Sequence, residues 1–415
     1  YNNLSIVRKE INRILMSQLL RLRQYENIDS SKILTLYQKY TADLFEQCVQ
    51  CKAEIGNDGS TYIVSGYLLG FVQNNNTDAF MQNVQKLSAN QAQFTLNTLS
   101  KVIEGVNDAN KVELSGAALQ KLLQFTQQSH SKYFNESATV VSHLLCNKAS
   151  QTETMNTVIS WMKASDSNSD LSRLGMESLT SALITSVGIS DQYLLNVFSD
   201  LIQTQFIDIV VSLINHKNLS VSLSALKTIK FLLLARIQNA IQSDIICKLL
   251  SVLLNRTKSS PDYIEKIQLG PITKTVDKSA SVRSLAFEVM TDIIEYDNEY
   301  IVKSDKQFLD AFIEQLMDAL QSDDGNLVNY ACQSFQIIIR SGYITTTHIR
   351  QDLIECINRE IENCKTDVMA QQLAGSAGGA SSASQLDSNK KEKLGYLLQI
   401  ISVIRKSVSQ INTVR

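Results

Sequence analysis

The 415-residue chain is 44% hydrophobic and 19% charged, a globular composition that excludes disorder of the whole length. Its formal net charge of −2 supplies no overall basic field of the kind that drives non-specific nucleic-acid binding, so protein partners are expected and nucleic acid is not. Two prolines and 15 glycines are few for this length, and the densest apolar run, Ile229 to Ile237, is broken by Lys230 and Arg236, so the chain reads as all-α without a membrane-spanning helix.

In chain order, apolar residues recur at spacings of three and four. Leu4, Ile6, Val7, Ile11, Ile14, Leu15, Leu19 and Leu20 line one face of a first helix. The chain opens on Tyr1 and shows neither a basic leader nor a cleavage signal, and it reads as a fragment of a larger protein. Further helical segments begin near Ser30, Thr61, Asn90, Leu114, Ser137, Glu153 and Leu171, separated by turn signals such as GNDGS at Gly56 and ASDSNSD at Ala164. This rhythm predicts helical hairpins in series.

Cys48 and Cys51 have the spacing of half a zinc site or a redox pair. With no second pair and no βαβ context, they read better as small buried residues on consecutive helical turns, as do Cys356 and Cys364. Seven cysteines in all, an odd number, suit reduced thiols in the cytoplasm and nucleus. The lone Trp161 reads as core rather than as an interface anchor. His130, His143, His216 and His348 lie in unrelated segments, and neither a phosphate-binding glycine loop nor a catalytic constellation is visible. No catalytic, cofactor-binding or metal-ligating residues are assigned, and a non-enzymatic protein is expected.

Four segments are self-similar: NSDLSRLGMESLTSALI from Asn168, HKNLSVSLSALKTIKFLLL from His216, DKSASVRSLAFEVMTDII from Asp277 and DDGNLVNYACQSFQIII from Asp323. Aligned on Leu171, Val221, Val282 and Val328, each has a small residue four positions later, Gly175, Ala225, Ala286 and Cys332, as close helix pairing requires. The anchors are 50, 61 and 46 residues apart, against about 40–47 for HEAT or armadillo repeats. The pattern predicts a HEAT-repeat (armadillo-like) superhelical solenoid over residues 1–415, with an excess of about one hairpin in the middle interval.

That excess contains both prolines, Pro261 and Pro271. If Gly270 and Pro271 form a tight turn, Leu269 faces Ile272, Ile267 faces Lys274 and Glu265 faces Val276, and residues 262–278 form an inserted β-hairpin. One side then carries Ile267, Leu269, Ile272 and Val276, and the other Lys266, Gln268, Thr273 and Thr275. Pro261 would stop the preceding helix, and Asp277 or Ser279 would cap the next. A lone two-stranded ribbon needs something to bury its apolar side, and the pattern leaves open whether it folds onto the solenoid or projects into a partner. Downstream, residues 374–393 read as a flexible Gly/Ser-rich loop and 394–415 as a C-terminal capping helix.

The stretch IQLGPITKTVDKSASVRSLAFEVMTDII resembles the C-terminal portion of the cullin-associated and neddylation-dissociated protein family. Gly270, Pro271, Thr275, Val276, Asp277, Arg283, Ala286, Phe287 and Glu288 fall on its pattern. Weaker similarity extends both ways, with the chain shorter by about two repeats between Asp191 and Ile207. The resemblance implies a regulator of cullin-RING ubiquitin ligases that binds an unneddylated cullin with its RING-box subunit. It further implies that the hairpin competes with the Skp-type substrate-receptor adaptor, promoting receptor exchange without cofactors. The implied partner-binding residues are Ile264, Lys266, Ile267, Leu269, Gly270, Pro271, Ile272, Lys274 and Val276. The alternative on sequence grounds is a nuclear-transport receptor or another helical-repeat scaffold.

Overall fold

The structure, a computed structural model, describes residues 58–73, 76–89, 91–109, 116–188, 206–234, 243–269, 272–296, 306–322, 324–340, 351–375 and 393–402, with scattered positions between 39 and 49. The first predicted helix, Cys48, Cys51, His348, the 191–205 segment and most of the Gly/Ser-rich stretch lie outside the described residues. Apart from one two-stranded hairpin and short turns, the described chain is helical, and contacts divide it into two units, Tyr1–Leu201 and Ile202–Arg415.

The first unit contains α1 (Asp58–Gln73), α2 (Thr77–Ser88), α3 (Ala92–Ala109), α4 (Gly116–Ser129), α5 (Phe134–Cys146), α6 (Gln151–Lys163) and α7 (Ser169–Gly188). Alternate helices α1, α3, α5 and α7 stack side by side, while α2, α4 and α6 pack against members of that row. Leu68, Leu96, Leu99, Val141, Leu144, Leu174 and Leu183 are buried in the stack, recurring at the three-and-four spacing that drives amphipathic helices together. Asn76 and Asn168 cap α2 and α7 through side-chain oxygens that accept from Ala79 N at 3.2 Å and Leu171 N at 3.0 Å. Trp161 is 4% exposed and belongs to the core.

The second unit contains α8 (Ile207–Ile214), α9 (Leu219–Leu234), α10 (Ser243–Thr257), β1 (Ile264–Leu269), β2 (Ile272–Asp277), α11 (Ala280–Tyr296), α12 (Lys306–Leu320), α13 (Gly325–Arg340) and α14 (Gln351–Gly375). It is a two-row stack: α8, α10, α12 and α14 follow one another in one row, α9, α11 and α13 in the other, and α8–α9, α10–α11 and α12–α13 pair across the rows. This is the arrangement of helical HEAT/armadillo-like repeats, each burying its face on its neighbours. Residues 393–402 add a helical stretch tied to α14 by Lys393 and Glu360 at 3.0 Å and to α13 by Gln336 and Gln399 at 3.1 Å.

The self-similar positions play one role in every repeat. Leu171, Val221, Val282 and Val328 are buried, and so are Gly175, Ala225, Ala286 and Cys332. At Gly175 the reason is explicit, because a β-carbon there would lie 3.1 Å from Met162 Cγ and 3.2 Å from the Val158 carbonyl oxygen of the paired α6. Cys356 and Cys364 are buried and not joined in a disulfide, in agreement with their reading as small apolar residues. Burial pushes the Cys332 thiol up to about 12.

Candidate functional site

The inserted ribbon stands between α10 and α11, where its sister repeats have only a short polar turn. Ser260 begins it. Its hydroxyl accepts from Asp262 N at 3.4 Å, and Pro261 occupies the start of a single 3-10 turn, where a missing N–H costs nothing. The two strands then run antiparallel, with Glu265 opposite Val276, Lys266 opposite Thr275, Ile267 opposite Lys274, Gln268 opposite Thr273 and Leu269 opposite Ile272. This is the register expected from a turn at Gly270 and Pro271; those two residues themselves lie outside the described set.

Because successive strand residues alternate sides, the pairing places Glu265, Ile267, Leu269, Ile272, Lys274 and Val276 on one face. Ile264, Lys266, Gln268, Thr273, Thr275 and Asp277 share the other. Lys274 is thus among the apolar residues and Ile264 among the polar ones. Five successive residues of β1, from Ile264 to Gln268, are exposed, so both sides of that strand face solvent. Ile264 and Ile267 are 41% and 39% exposed. Neither strand runs in extended contact with any described helix. Of the two fates the pattern leaves open, the exposure of β1 accords with a ribbon that stands off its repeat.

The foot of the ribbon, by contrast, is closely held. Lys278 N donates to the Tyr263 carbonyl at 2.9 Å, closing the ladder at its base. The Tyr263 hydroxyl donates to the Lys217 carbonyl at 3.2 Å, and the Arg256 guanidinium lies 5.6 Å from the Tyr263 ring centroid. Asp277 Oδ1 accepts from the backbone N and hydroxyl of Ser279, at 2.8 and 2.6 Å. Ser279 in turn offers its carbonyl to Val282 N and Arg283 N at the start of α11. Asp277 thus holds Ser279, the residue before α11, while the N–H groups of Val282 and Arg283 go to the Ser279 carbonyl and not to its hydroxyl. Lys278 and Glu265 pair at 2.8 Å, but both are half exposed and such pairs contribute little.

At the centre of the foot lies Arg283, 4% exposed. Its Nε donates to the Thr257 carbonyl at 2.8 Å, one terminal nitrogen to Asp277 at 2.9 Å and the other to Asp318 at 2.9 Å. Sequence reasoning matched Arg283 to a family pattern without giving it a role. A signal was present: Arg283, Ala286, Phe287 and Met290 share one helical face, three of them apolar, and a charge at such a position must find buried partners.

Among the described residues, no group of three or more His, Cys, Asp and Glu could hold a metal ion, and no helix is long and apolar enough to cross a membrane. His130 and His143 are engaged within the first unit, by the Gln127 and Ser100 carbonyls. His216 lies near the foot of the ribbon, where its Nδ1 accepts from Asn218 N at 3.0 Å.

Paired helices in rows, carrying one ribbon whose first strand is exposed, define a helical-repeat scaffold for protein interaction. Residues 241–390, from α10 through α14, match the family model TIP120, TATA-binding protein interacting (TIP20). Over that C-terminal portion the chain carries the domain of the cullin-associated and neddylation-dissociated family. A comparison with curated protein sequences gave no match. Among solved structures, Kap121p is similar at 12% identity over 94% of this chain and 43% of that one, with a TM-score of 0.44. Kap121p bound to the extreme C-terminus of the protein phosphatase Cdc14p is similar at 12% over 95% and 46%, with a TM-score of 0.40. SYS-1 is similar at 12% over 96% and 76%, also with a TM-score of 0.40. The chain spans less than half the length of the Kap121p chains it matches. Likenesses at this level carry nothing about what the chain binds.

Proposed function

We propose that this chain regulates cullin-RING ubiquitin ligases by inserting its ribbon at the cullin surface used by the substrate-receptor adaptor, so that adaptor and receptor leave and can be exchanged. The observation that carries the reading is a β-hairpin, inside the family-matched region, whose first strand is exposed on both sides while its foot is fixed to the repeat. Ile267, Leu269, Pro271 and Ile272 would supply apolar anchors, with Val276 on the face of Ile267, Ile264 on the opposite face and Gly270 among the contacting residues. Lys266 and Lys274 would make polar contacts. A β-ribbon of this size gives up little conformational entropy on docking if its direction is already set, which favours displacement by steric competition over any covalent step. The cullin would be bound in its unneddylated form together with its RING-box subunit, in the cytoplasm and nucleus.

The test replaces Ile264 to Val276 by a short Gly/Ser turn and follows adaptor release from an assembled cullin complex. The reading requires adaptor release to collapse towards the spontaneous rate. Release at the parental rate by the shortened protein would rule it out.

A further inference from the structure

The residue after three of the four repeat anchors, Leu171, Val221 and Val282, has a recurring task. Ser172, after Leu171, donates its hydroxyl to the Met162 carbonyl in the last turn of α6 at 3.3 Å. Ser222, after Val221, does the same to the Ile214 carbonyl at the end of α8. Each hydroxyl ties the start of one helix back to the end of its partner, across a short turn. Arg283, after Val282, holds this position in the interrupted repeat, and its Nε makes the equivalent bond to the Thr257 carbonyl at the end of α10. The remaining arms of the guanidinium do what serine cannot: they hold Asp277, the last residue of β2, and Asp318 on α12 of the following repeat.

We infer that Arg283 is the positioning residue of the ribbon, fixing the direction in which it leaves the stack and so pre-orienting it for its partner. The geometry supports a directional hold, because the three acceptors lie on three elements: the helix before the ribbon, the ribbon's own end and a helix of the next repeat. A planar guanidinium with donors on several sides joins all three, whereas an ammonium at the same place presents a point charge without that fork. Among the other foot contacts, Tyr263 to Lys217 and Arg256 over the Tyr263 ring anchor the β1 side to the stack, while Asp277 to Ser279 and Lys278 to Tyr263 are local to the foot. Removing the Arg283 hold takes away the bonds that join the β2 end to the end of α10 and to the next repeat, and a ribbon with more directional freedom loses part of its binding free energy to ordering.

The partner half of this inference rests on the cullin reading above, so the test separates the two. Spin labels are introduced through noncanonical amino acids at Lys266 on the ribbon and Ser251 on α10, both exposed, in the full chain. The label-to-label distance distribution is measured in the parental protein, in Arg283→Ser and in Asp318→Asn. Arg283→Ser installs the residue that two sister repeats use and keeps the tie to Thr257 available, while Asp318→Asn takes away only the charge of the outer, exposed anchor. The distribution is expected to broaden in both variants, most in Arg283→Ser; the melting temperature should fall in Arg283→Ser, which removes a buried ion-pair partner, and stay within a few degrees of parental in Asp318→Asn. Adaptor release should slow by roughly tenfold in Arg283→Ser.

Distributions as narrow as parental in both variants would overturn the inference. So would a broadened ribbon that still evicts adaptor at the parental rate, in a protein whose eviction is abolished by ribbon replacement. A broadened ribbon together with full eviction after ribbon replacement supports the positioning role and overturns the cullin reading instead.

Discussion

Lys230 on α9 donates to Glu288 on α11 at 2.6 Å, and Asp292, one turn further along α11, shares the field of that pair. Burial pushes the Asp292 carboxyl up from 3.8 to about 6, helped by repulsion from Glu288 and Glu295 and opposed by Lys230. One of its oxygens, Oδ2, is buried without a hydrogen-bond partner. The folded state therefore holds this proton more tightly than the unfolded one. The resulting stabilisation is full below pH 3.8 and is lost as the pH rises through 6. Asp292 is only half buried, and solvent screening reduces the effect to about 1 kcal/mol. Asp292→Asn should remove that loss between pH 4 and 6 and leave the protein more stable than parental at pH 8. Urea midpoints at the two pH values check this.

Close helix pairing at Gly175 makes an opposite pair of glycine predictions. Gly175→Val must push against Met162 and the Val158 backbone oxygen and should cost roughly 1–3 kcal/mol as overpacking. Gly395→Ala, with nothing within 4 Å of the added carbon, should be neutral or stabilise the 393–402 helix by up to about 1 kcal/mol. Thermal unfolding of the two variants side by side tests the contrast.

Trp161 is the only tryptophan and is 4% exposed, which makes it a reporter for the first unit alone. Its emission should be blue-shifted in the native protein and move to longer wavelength when that unit unfolds. Trp161→Ala should destabilise the unit by about 3–5 kcal/mol. Fluorescence and far-ultraviolet dichroism followed through the same denaturant series would reveal whether the second unit melts with it.

Ribbon register supplies a prediction that distinguishes its two faces. Ile264 and Ile267 are equally exposed but lie on opposite sides, Ile267 with Val276 and Ile264 with Lys266. If the ribbon docks on a cullin as proposed, Ile267→Asp should weaken that binding by roughly tenfold or more, with a smaller loss for Ile264→Asp. Neither should move the melting temperature, since neither side chain is buried. Binding isotherms and melting curves on the two variants check both halves.

Much of this architecture was legible because it is local. The anchors at Leu171, Val221, Val282 and Val328 and the small residues four later need only helical periodicity to be recognised, and their burial follows from it. Ribbon pairing was legible for the same reason, since a Gly-Pro turn flanked by β-branched residues leaves one sensible register. Features made by distant residues were not. Arg283 meets partners 26 and 35 positions away, and Lys230 meets Glu288 across 58. No spacing rule within a window reaches so far. Whether the ribbon stands off or lies down depends on the stack beside it, which the strands' own alternation does not describe.

The bond between Tyr263 and Lys278 means that the excursion ends where it begins. The repeat stack therefore meets the same two ends whatever the ribbon's length, and closing the insertion adds little to the entropy already spent at its base. Extending or trimming each strand by two residues would preserve both faces, whereas a single-residue change in one strand would turn its outer half over. In this sense the ribbon is a modular graft: its tip can be re-cut for a new binding surface while the helices that carry it keep their places.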